Sequence, residues 1–151
     1  MKNRIIGYAS LGILLIAIDR IFKLWAIASC TSVKYLVPGV SCELSFNRGI
    51  ALGLFDHNGT YAFYALTAAV IIITGFLVRY AYKRMLKGYS IIGETLIISG
   101  AIGNLIDRFV YGGVIDFIVL SYGTHVFPVF NGADICITVG VLIAVFSAGK
   151  T

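Results

Sequence analysis

Four stretches of the chain are almost entirely apolar, and the segments between them carry most of the charged residues. The stretches cover residues 5–27, 59–78, 89–106 and 133–148. A helix needs roughly 20 mostly apolar residues to cross a bilayer core about 30 Å thick. The pattern therefore predicts an all-α membrane protein with four transmembrane helices in one domain, residues 1–151.

The composition supports lipid as the solvent of this fold. Hydrophobic residues make up 59% of the chain and charged residues 13%, with a mean hydropathy of +0.93. A water-soluble fold of 151 residues could not bury that much apolar surface. The net charge of +5 does not indicate nucleic-acid binding, because the cations flank apolar runs instead of forming a patch. The three cysteines lack the spacing of zinc ligands, so we expect no metal or cofactor.

The distribution of Lys and Arg predicts an orientation in the membrane. One set of cations precedes the first span, fills the link between spans two and three, and follows span four: Lys2, Arg4, Arg79, Lys83, Arg84, Lys87 and Lys150. The opposite connections hold only Lys34, Arg48 and Arg108. By the positive-inside rule, both termini face the cytoplasm and the long connections at 28–58 and 107–132 face outward.

The outer connections have the pattern of strands. Residues 40–47 alternate apolar and polar side chains with a period of two, and 114–120 are rich in β-branched residues. A turn near Gly123 would let residues 126–130 return. We expect a small extracytoplasmic β-sheet. The first of these connections also contains Cys30 and Cys42, which could form a disulfide if it faces an oxidising compartment.

The first thirty residues have an alternative interpretation as a secretory signal peptide, because Lys2 and Arg4 precede an apolar run. Asp19, Arg20 and Lys23 interrupt that run where a signal peptide stays apolar. The sequence therefore favours a retained transmembrane helix.

Charged residues inside spans cost on the order of 3 kcal/mol at mid-membrane, so each needs a partner or a function. Asp19 and Lys23 are spaced as an i,i+4 pair and could simply neutralise each other. Asn104 and Arg108 have the same spacing after the small residues of 99–103, which permit close helix packing. Arg108 could extend to the interface, hold a phosphate or orient a substrate carbonyl.

Two further acids approach the outer membrane edge. Asp134 follows Asn131 by three residues at the start of an apolar helix, as in a capping box. Asp116 stands without a partner in a strongly apolar stretch, where a structural role is hard to assign. Two carboxyl groups close together can share one proton, so that one acts as an acid while the other activates water, as in aspartic proteases.

Five segments together resemble the bacterial lipoprotein signal peptidase (signal peptidase II) family. In chain order they are Asp19–Lys23, Asn47–Gly53, Gly100–Arg108, Val114–Phe117 and Phe127–Asp134. The resemblance implies an aspartic endopeptidase of the bacterial inner membrane that needs no cofactor. It would remove the signal peptide from diacylglyceryl-modified prolipoproteins, cutting before the lipidated cysteine, and would act as a monomer near the outer face.

The resemblance also implies roles for individual residues. Asp116 and Asp134 match the catalytic pair, and Asp107 matches no catalytic position, so Asp107→Asn is expected to keep substantial activity. Leu52 and Gly132 depart from the residues usual in the family. The positions that would shape the substrate pocket are Asp19, Lys23, Asn47, Gly49, Asn104, Arg108, Asn131 and Ala133.

Two functions of other classes stay open on the sequence alone. A small four-helix transporter could use Asp19, Asp116 and Asp134 to relay protons or bind a cation. A non-catalytic assembly factor could use the predicted sheet to bind a partner. Replacing each acid of the predicted pair separates these functions from a peptidase.

Overall fold

Four helices and a small antiparallel sheet make up the computed structural model, which describes residues 1–49 and 60–148. Leu52, Lys150 and the predicted start of the second span at residue 59 lie outside the described residues. The elements in chain order are α1 (Lys2–Ser29), β1 (Lys34–Val37), β2 (Val40–Asn47), α2 (Thr60–Leu86), α3 (Ile92–Tyr111), β3 (Val114–Tyr122), β4 (His125–Val126) and α4 (Gly132–Ala148).

The sheet has the strand order β1-β2-β3-β4, with antiparallel pairing throughout. The strands predicted at 40–47 and 114–120 are confirmed as β2 and β3, and Gly123 occupies the turn between β3 and β4 with a φ of 58°. Strand β1 was not predicted. All four of its residues are exposed, so it lacks the alternation that marks a half-buried strand, and its pairing with β2 defines it.

The helices place the start of α1 beside the link between α2 and α3, at the end opposite the sheet. Arg4, at the start of α1, donates hydrogen bonds to the carbonyl oxygens of Met85 (3.4 Å) and Tyr89 (2.5 Å). Helix α2 continues past residue 78 to Leu86, so its last cations are helical instead of lying in a loop. An ion pair explains this extension in part, because the Arg84 guanidinium lies 3.1 Å from the buried carboxylate of Glu94 on α3.

Polar and apolar residues are distributed in the reverse of a water-soluble protein. Large apolar side chains project outward from the helices, with exposed fractions of 68% for Ile13, 69% for Phe76 and 76% for Phe146. Several charged and amide side chains are buried in the interior beside apolar ones. Within the described residues, α1 and α2 are long and apolar enough to cross a membrane, and the apolar part of α4 is shorter. This distribution is typical of a protein surrounded by lipid.

Helices α3 and α4 approach closely through glycines. A Cβ atom added to Gly100 would collide with the carbonyl oxygen of Ala133 on α4. Gly93 and Gly140 face each other further along the same interface, where an added Cβ would lie 2.7–2.8 Å from the opposite backbone oxygen. The close packing expected from the small residues at 99–103 is confirmed for Gly100.

A disulfide joins Cys30, just after α1, to Cys42 on β2. Both cysteines are 1% exposed and pack against Ala26, Ile115 and Phe117. The disulfide that the sequence left open is therefore present, and it attaches the sheet to the end of α1.

We expect Gly100→Ala to destabilise the protein by about 1–3 kcal/mol, because the new methyl group overpacks the α3–α4 interface. Gly75→Ala on α2 is the matched control, since nothing lies within 4 Å of its added Cβ. Thermal unfolding in detergent measures both. A Gly100→Ala melting temperature equal to that of Gly75→Ala would contradict the described packing.

Replacing both bridged cysteines with alanine should lower the free energy of unfolding by about 3 kcal/mol, because a closed loop of this size restricts the unfolded chain. Thermal unfolding with and without a reductant gives the measurement. The wild type should lose stability on reduction, while the double variant should be insensitive. Cys136→Ala, which removes the free thiol, should respond to the reductant as the wild type does.

Candidate active site

Asp116 projects from the middle of the sheet and is held by two asparagine side chains. It lies on β3, 3% exposed, and accepts hydrogen bonds from Asn47 Nδ2 at 3.0 Å and Asn131 Nδ2 at 2.6 Å. The backbone N–H of Gly49 donates to Asn47 Oδ1 at 3.0 Å. Because that donor engages the amide oxygen, the Asn47 NH₂ group is directed at Asp116.

Asp134 lies in the first turn of α4, where it forms the predicted capping box. The backbone N–H of Asp134 donates to Asn131 Oδ1 at 3.0 Å, and the backbone N–H of Asn131 donates to Asp134 Oδ2 at 3.1 Å. Asn104 Nδ2 donates to the other carboxylate oxygen at 2.9 Å. Lys23 in turn donates to Asn104 Oδ1 at 2.9 Å, which orients that amide.

Asn131 is the residue that joins the two acids. Its Nδ2 donates to Asp116, while its backbone N–H and Oδ1 both engage Asp134. The same Nδ2 also lies 3.3 Å from Asn104 Oδ1. The two carboxyl groups therefore belong to one continuous hydrogen-bonded network, built from asparagines on three different segments.

Both acids line one cavity of about 280 Å³, together with Arg108. Arg108 donates from Nη1 to the carbonyl oxygen of Asn104 at 3.4 Å, and its buried Nε has no hydrogen-bond partner among the described residues. A guanidinium with an unused donor can bind a carbonyl oxygen. The other residues that line the cavity are Asn47, Asn104, Val114, Pro128, Val129 and Phe130.

Burial is the main reason why the pKa of Asp116 rises from its ordinary value to about 6. The hydrogen bond from Asn47 opposes this rise, the negative charge of Asp134 adds to it, and the hydrogen bond from Asn131 and the charge of Lys23 oppose it more weakly. A carboxyl group with this pKa exchanges its proton near neutral pH, as a general acid or base must.

Behind this cavity, two acids and two bases form what we call the charge cluster: Asp19, Arg20, Lys23 and Asp107. The Lys23 ammonium, 0% exposed, lies 3.0 Å from Asp19 and 2.6 Å from Asp107. The Arg20 guanidinium lies 3.2 Å and 2.6 Å from the same two carboxylates. The cluster is electrically neutral, as a buried set of charges at membrane depth must be.

The two acids of the charge cluster also accept backbone hydrogen bonds from neighbouring elements. Asp107 Oδ2 accepts from the N–H of Ile115 on β3 at 3.2 Å. Asp19 Oδ1 accepts from the N–H of Ala133 on α4 at 3.1 Å. The cluster therefore connects α1 and α3 to both segments that carry the cavity acids.

Asp19 and Lys23, expected in the substrate pocket, do not line the cavity of Asp116, and their part in shaping that pocket stays a prediction. The i,i+4 pairing considered for them is present. Gly132, one of the departures from the family, lies beside Asp19 in a second, apolar cavity of about 420 Å³.

Sequence reasoning missed Arg20 and the cluster role of Asp107. The Asp107 carboxylate is 0% exposed and lies between two cations, and the expectation that Asp107→Asn keeps substantial activity stays a prediction. The signal that could have found them was charge balance, since two acids and two bases occur near the ends of two apolar segments of the sequence.

Comparison with known proteins identifies the chain's relatives. The sequence profile of the family described as signal peptidase (SPase) II matches residues 11–149. A lipoprotein signal peptidase of Rickettsia felis is 38% identical over 141 residues, covering 88% of this chain and 69% of the relative. That of Thermodesulfovibrio yellowstonii is 38% identical over 135 residues, with 88% of both chains covered. That of Burkholderia thailandensis is 35% identical over 144 residues, covering 90% of this chain and 84% of the relative.

Two solved structures, each described as a bacterial membrane enzyme, share the fold. One superposes with a TM-score of 0.72 at 25% identity, over 95% of this chain and 88% of the other. The second has a TM-score of 0.70 at 24% identity, over 94% and 92% of the two chains. With the profile match over most of its length and these relatives, the chain belongs to the signal peptidase II family of lipoprotein-processing proteases.

Proposed function

We propose that Asp116 and Asp134 are the catalytic pair of this peptidase and that it is an aspartic endopeptidase. The observation that carries the proposal is that Asn131 bonds to both carboxyl groups, since its Nδ2 donates to Asp116 Oδ1 and its backbone N–H donates to Asp134 Oδ2. The common cavity and the raised pKa of Asp116 support it further. Aspartic proteolysis needs two carboxyl groups that share a single proton near the operating pH.

The reaction follows from that shared proton. The ionised carboxylate takes a proton from water, and the resulting nucleophile attacks the carbonyl carbon of the scissile peptide bond. The protonated carboxyl group donates to the carbonyl oxygen, and a proton then passes to the leaving amine as the bond breaks. The proton belongs to the pair, so we assign it to neither residue alone.

The residues around the pair divide into two groups in this proposal. Arg108 binds the substrate backbone, because its side chain lines the cavity beside the two acids. Asn104 and Asn131 hold the acids, as does Asn47 with its orienting contact from Gly49. Asp19 and Lys23 act through this network instead of touching substrate.

We further propose that all four helices span the bacterial inner membrane, with both termini in the cytoplasm and the sheet outside. Helix α3 has 20 residues, and at a rise of 1.5 Å per residue this is about 30 Å, the thickness of a bilayer core. The Lys and Arg residues of the helix ends and connections are more numerous at the end away from the sheet, in agreement with the positive-inside rule. The disulfide lies at the sheet end, which an oxidising compartment would favour.

The family implies a prolipoprotein substrate, and we propose that its diacylglyceryl cysteine is recognised while the acyl chains stay in lipid. The apolar outer surface of the helices supports this, because chains bound there need not leave the bilayer. We propose that one protomer is sufficient for activity. A proton-relay transporter is less well supported, since Asp19 is neutralised by Arg20 and Lys23.

Asp116→Asn and Asp134→Asn should each lower kcat by roughly 10³-fold or more, because each removes a group that transfers a proton in the reaction. The measurement is cleavage of a lipidated precursor peptide by detergent-purified protein of confirmed thermal stability. Glu43→Gln, which changes an exposed carboxylate on the same sheet, is the control and should keep wild-type turnover. Near wild-type turnover in either aspartate variant would refute the pair.

The stability advantage of the wild type over Asp116→Asn should fall as pH rises from about 4 to about 6. The folded protein holds the Asp116 proton up to its pKa of about 6, whereas the unfolded chain releases it near the ordinary aspartate pKa of 3.8. Between these two pH values the folded wild type loses stability relative to its unfolded state. Above about pH 6 the stability difference between the wild type and Asp116→Asn becomes constant. Melting temperatures of both proteins across this range make the test, and a difference that does not change with pH would contradict the raised pKa.

A further inference from the structure

The charge cluster contacts the backbone immediately before each acid of the proposed pair. Asp107 accepts from the N–H of Ile115, the residue before Asp116. Asp19 accepts from the N–H of Ala133, the residue before Asp134. Each proposed catalytic aspartate is therefore one residue away from a backbone group that a buried carboxylate holds.

Lys23 connects these two contacts to each other and to the side chains of the site. Its ammonium group has three donors, and three acceptors surround it: Asp19 Oδ2 at 3.0 Å, Asp107 Oδ2 at 2.6 Å and Asn104 Oδ1 at 2.9 Å. Because the ammonium can only donate, it fixes the Asn104 amide with its oxygen inward. The Asn104 NH₂ group then faces Asp134, to which it donates at 2.9 Å.

We propose that Asp19, Arg20, Lys23 and Asp107 are positioning residues that set the separation and orientation of Asp116 and Asp134, an inference that rests on the proposed catalytic pair. None of the four lines the cavity that holds the pair. They act on the pair through the backbone hydrogen bonds from Ile115 and Ala133 and through the orientation of the Asn104 amide. Arg20 completes the cluster by neutralising the carboxylates that Lys23 alone would leave with a net negative charge.

A double variant separates positioning from mere stability. Lys23→Met/Asp107→Leu removes one charge of each sign and keeps the cluster neutral, and buried ion pairs can often be replaced by apolar residues of similar volume without loss of stability. We expect its melting temperature to recover relative to Lys23→Met alone. Its kcat should stay at least tenfold below wild type, with KM changed less than about threefold, because small misplacements of reacting groups lower the rate steeply.

The matched control is the other buried ion pair of the described structure, Arg84 and Glu94, at the opposite end of the helices. Arg84→Met/Glu94→Leu makes the same chemical change away from the pair and should keep kcat near wild type. Equal kcat values in the two double variants would overturn the proposal. So would a kcat that recovers in parallel with the melting temperature in Lys23→Met/Asp107→Leu.

A comparison at position 107 decides the matter even if the double variant folds poorly. Asp107→Asn and Asp107→Leu change the net charge equally, but only the asparagine keeps an oxygen that can accept from Ile115. We expect Asp107→Asn to retain at least tenfold higher kcat than Asp107→Leu, because the rate depends steeply on the placement of Asp116 and Asp134. Equal kcat values would show that charge alone matters and would overturn the positioning role.

Asp116→Asn in the same assays keeps the two proposals distinguishable. If Asp116→Asn is inactive while the position-107 variants and the double variant turn over like the wild type, only the positioning proposal fails. If Asp116→Asn stays active, the catalytic pair itself is wrong.

Discussion

The rest of this structure depends on the contacts of one fully buried ammonium group, that of Lys23. Lys23 is 0% exposed near the end of α1 that meets the sheet, where an unpaired charge would be strongly unfavourable. Two carboxylates and an amide oxygen surround it, so every donor has a partner. Since those partners come from α1 and α3, and the carboxylates also hold β3 and α4, the ammonium can be buried only when these elements are assembled together.

The half of the molecule that carries the sheet is consequently held together by many polar contacts, and the other half mainly by close packing of helices. Near the sheet, hydrogen bonds and ion pairs fix which segments meet. Toward the other end, Gly93 and Gly140 let α3 and α4 come into backbone contact, with Arg84 and Glu94 as the main buried charges there. In lipid, where apolar side chains gain little from leaving the solvent, polar contacts and close packing are the available means of holding helices together.

Much of this could be predicted from sequence because local patterns determine it. The alternation of residues 40–47 gave β2 with its observed bounds, and the Asn131–Asp134 spacing gave the capping box. The relation of Asp107 to Ile115 could not be predicted, since it depends on how α3 and β3 are placed after the turn at Gly112. Arg20 was missed for a similar reason, because its side chain joins α1 to α3 and no local rule pairs it with Asp107.

The Asn131 side chain both begins helix α4 and holds an acid of the site. Serine, threonine and aspartate also begin helices well, because each offers an oxygen to the first turn. Ionised aspartate has no donor, and the hydroxyl of serine or threonine would have to make both contacts from one atom, whereas asparagine caps α4 with its oxygen and donates to Asp116 with its nitrogen. The residue that starts the helix is thus selected by a contact that has nothing to do with helix formation.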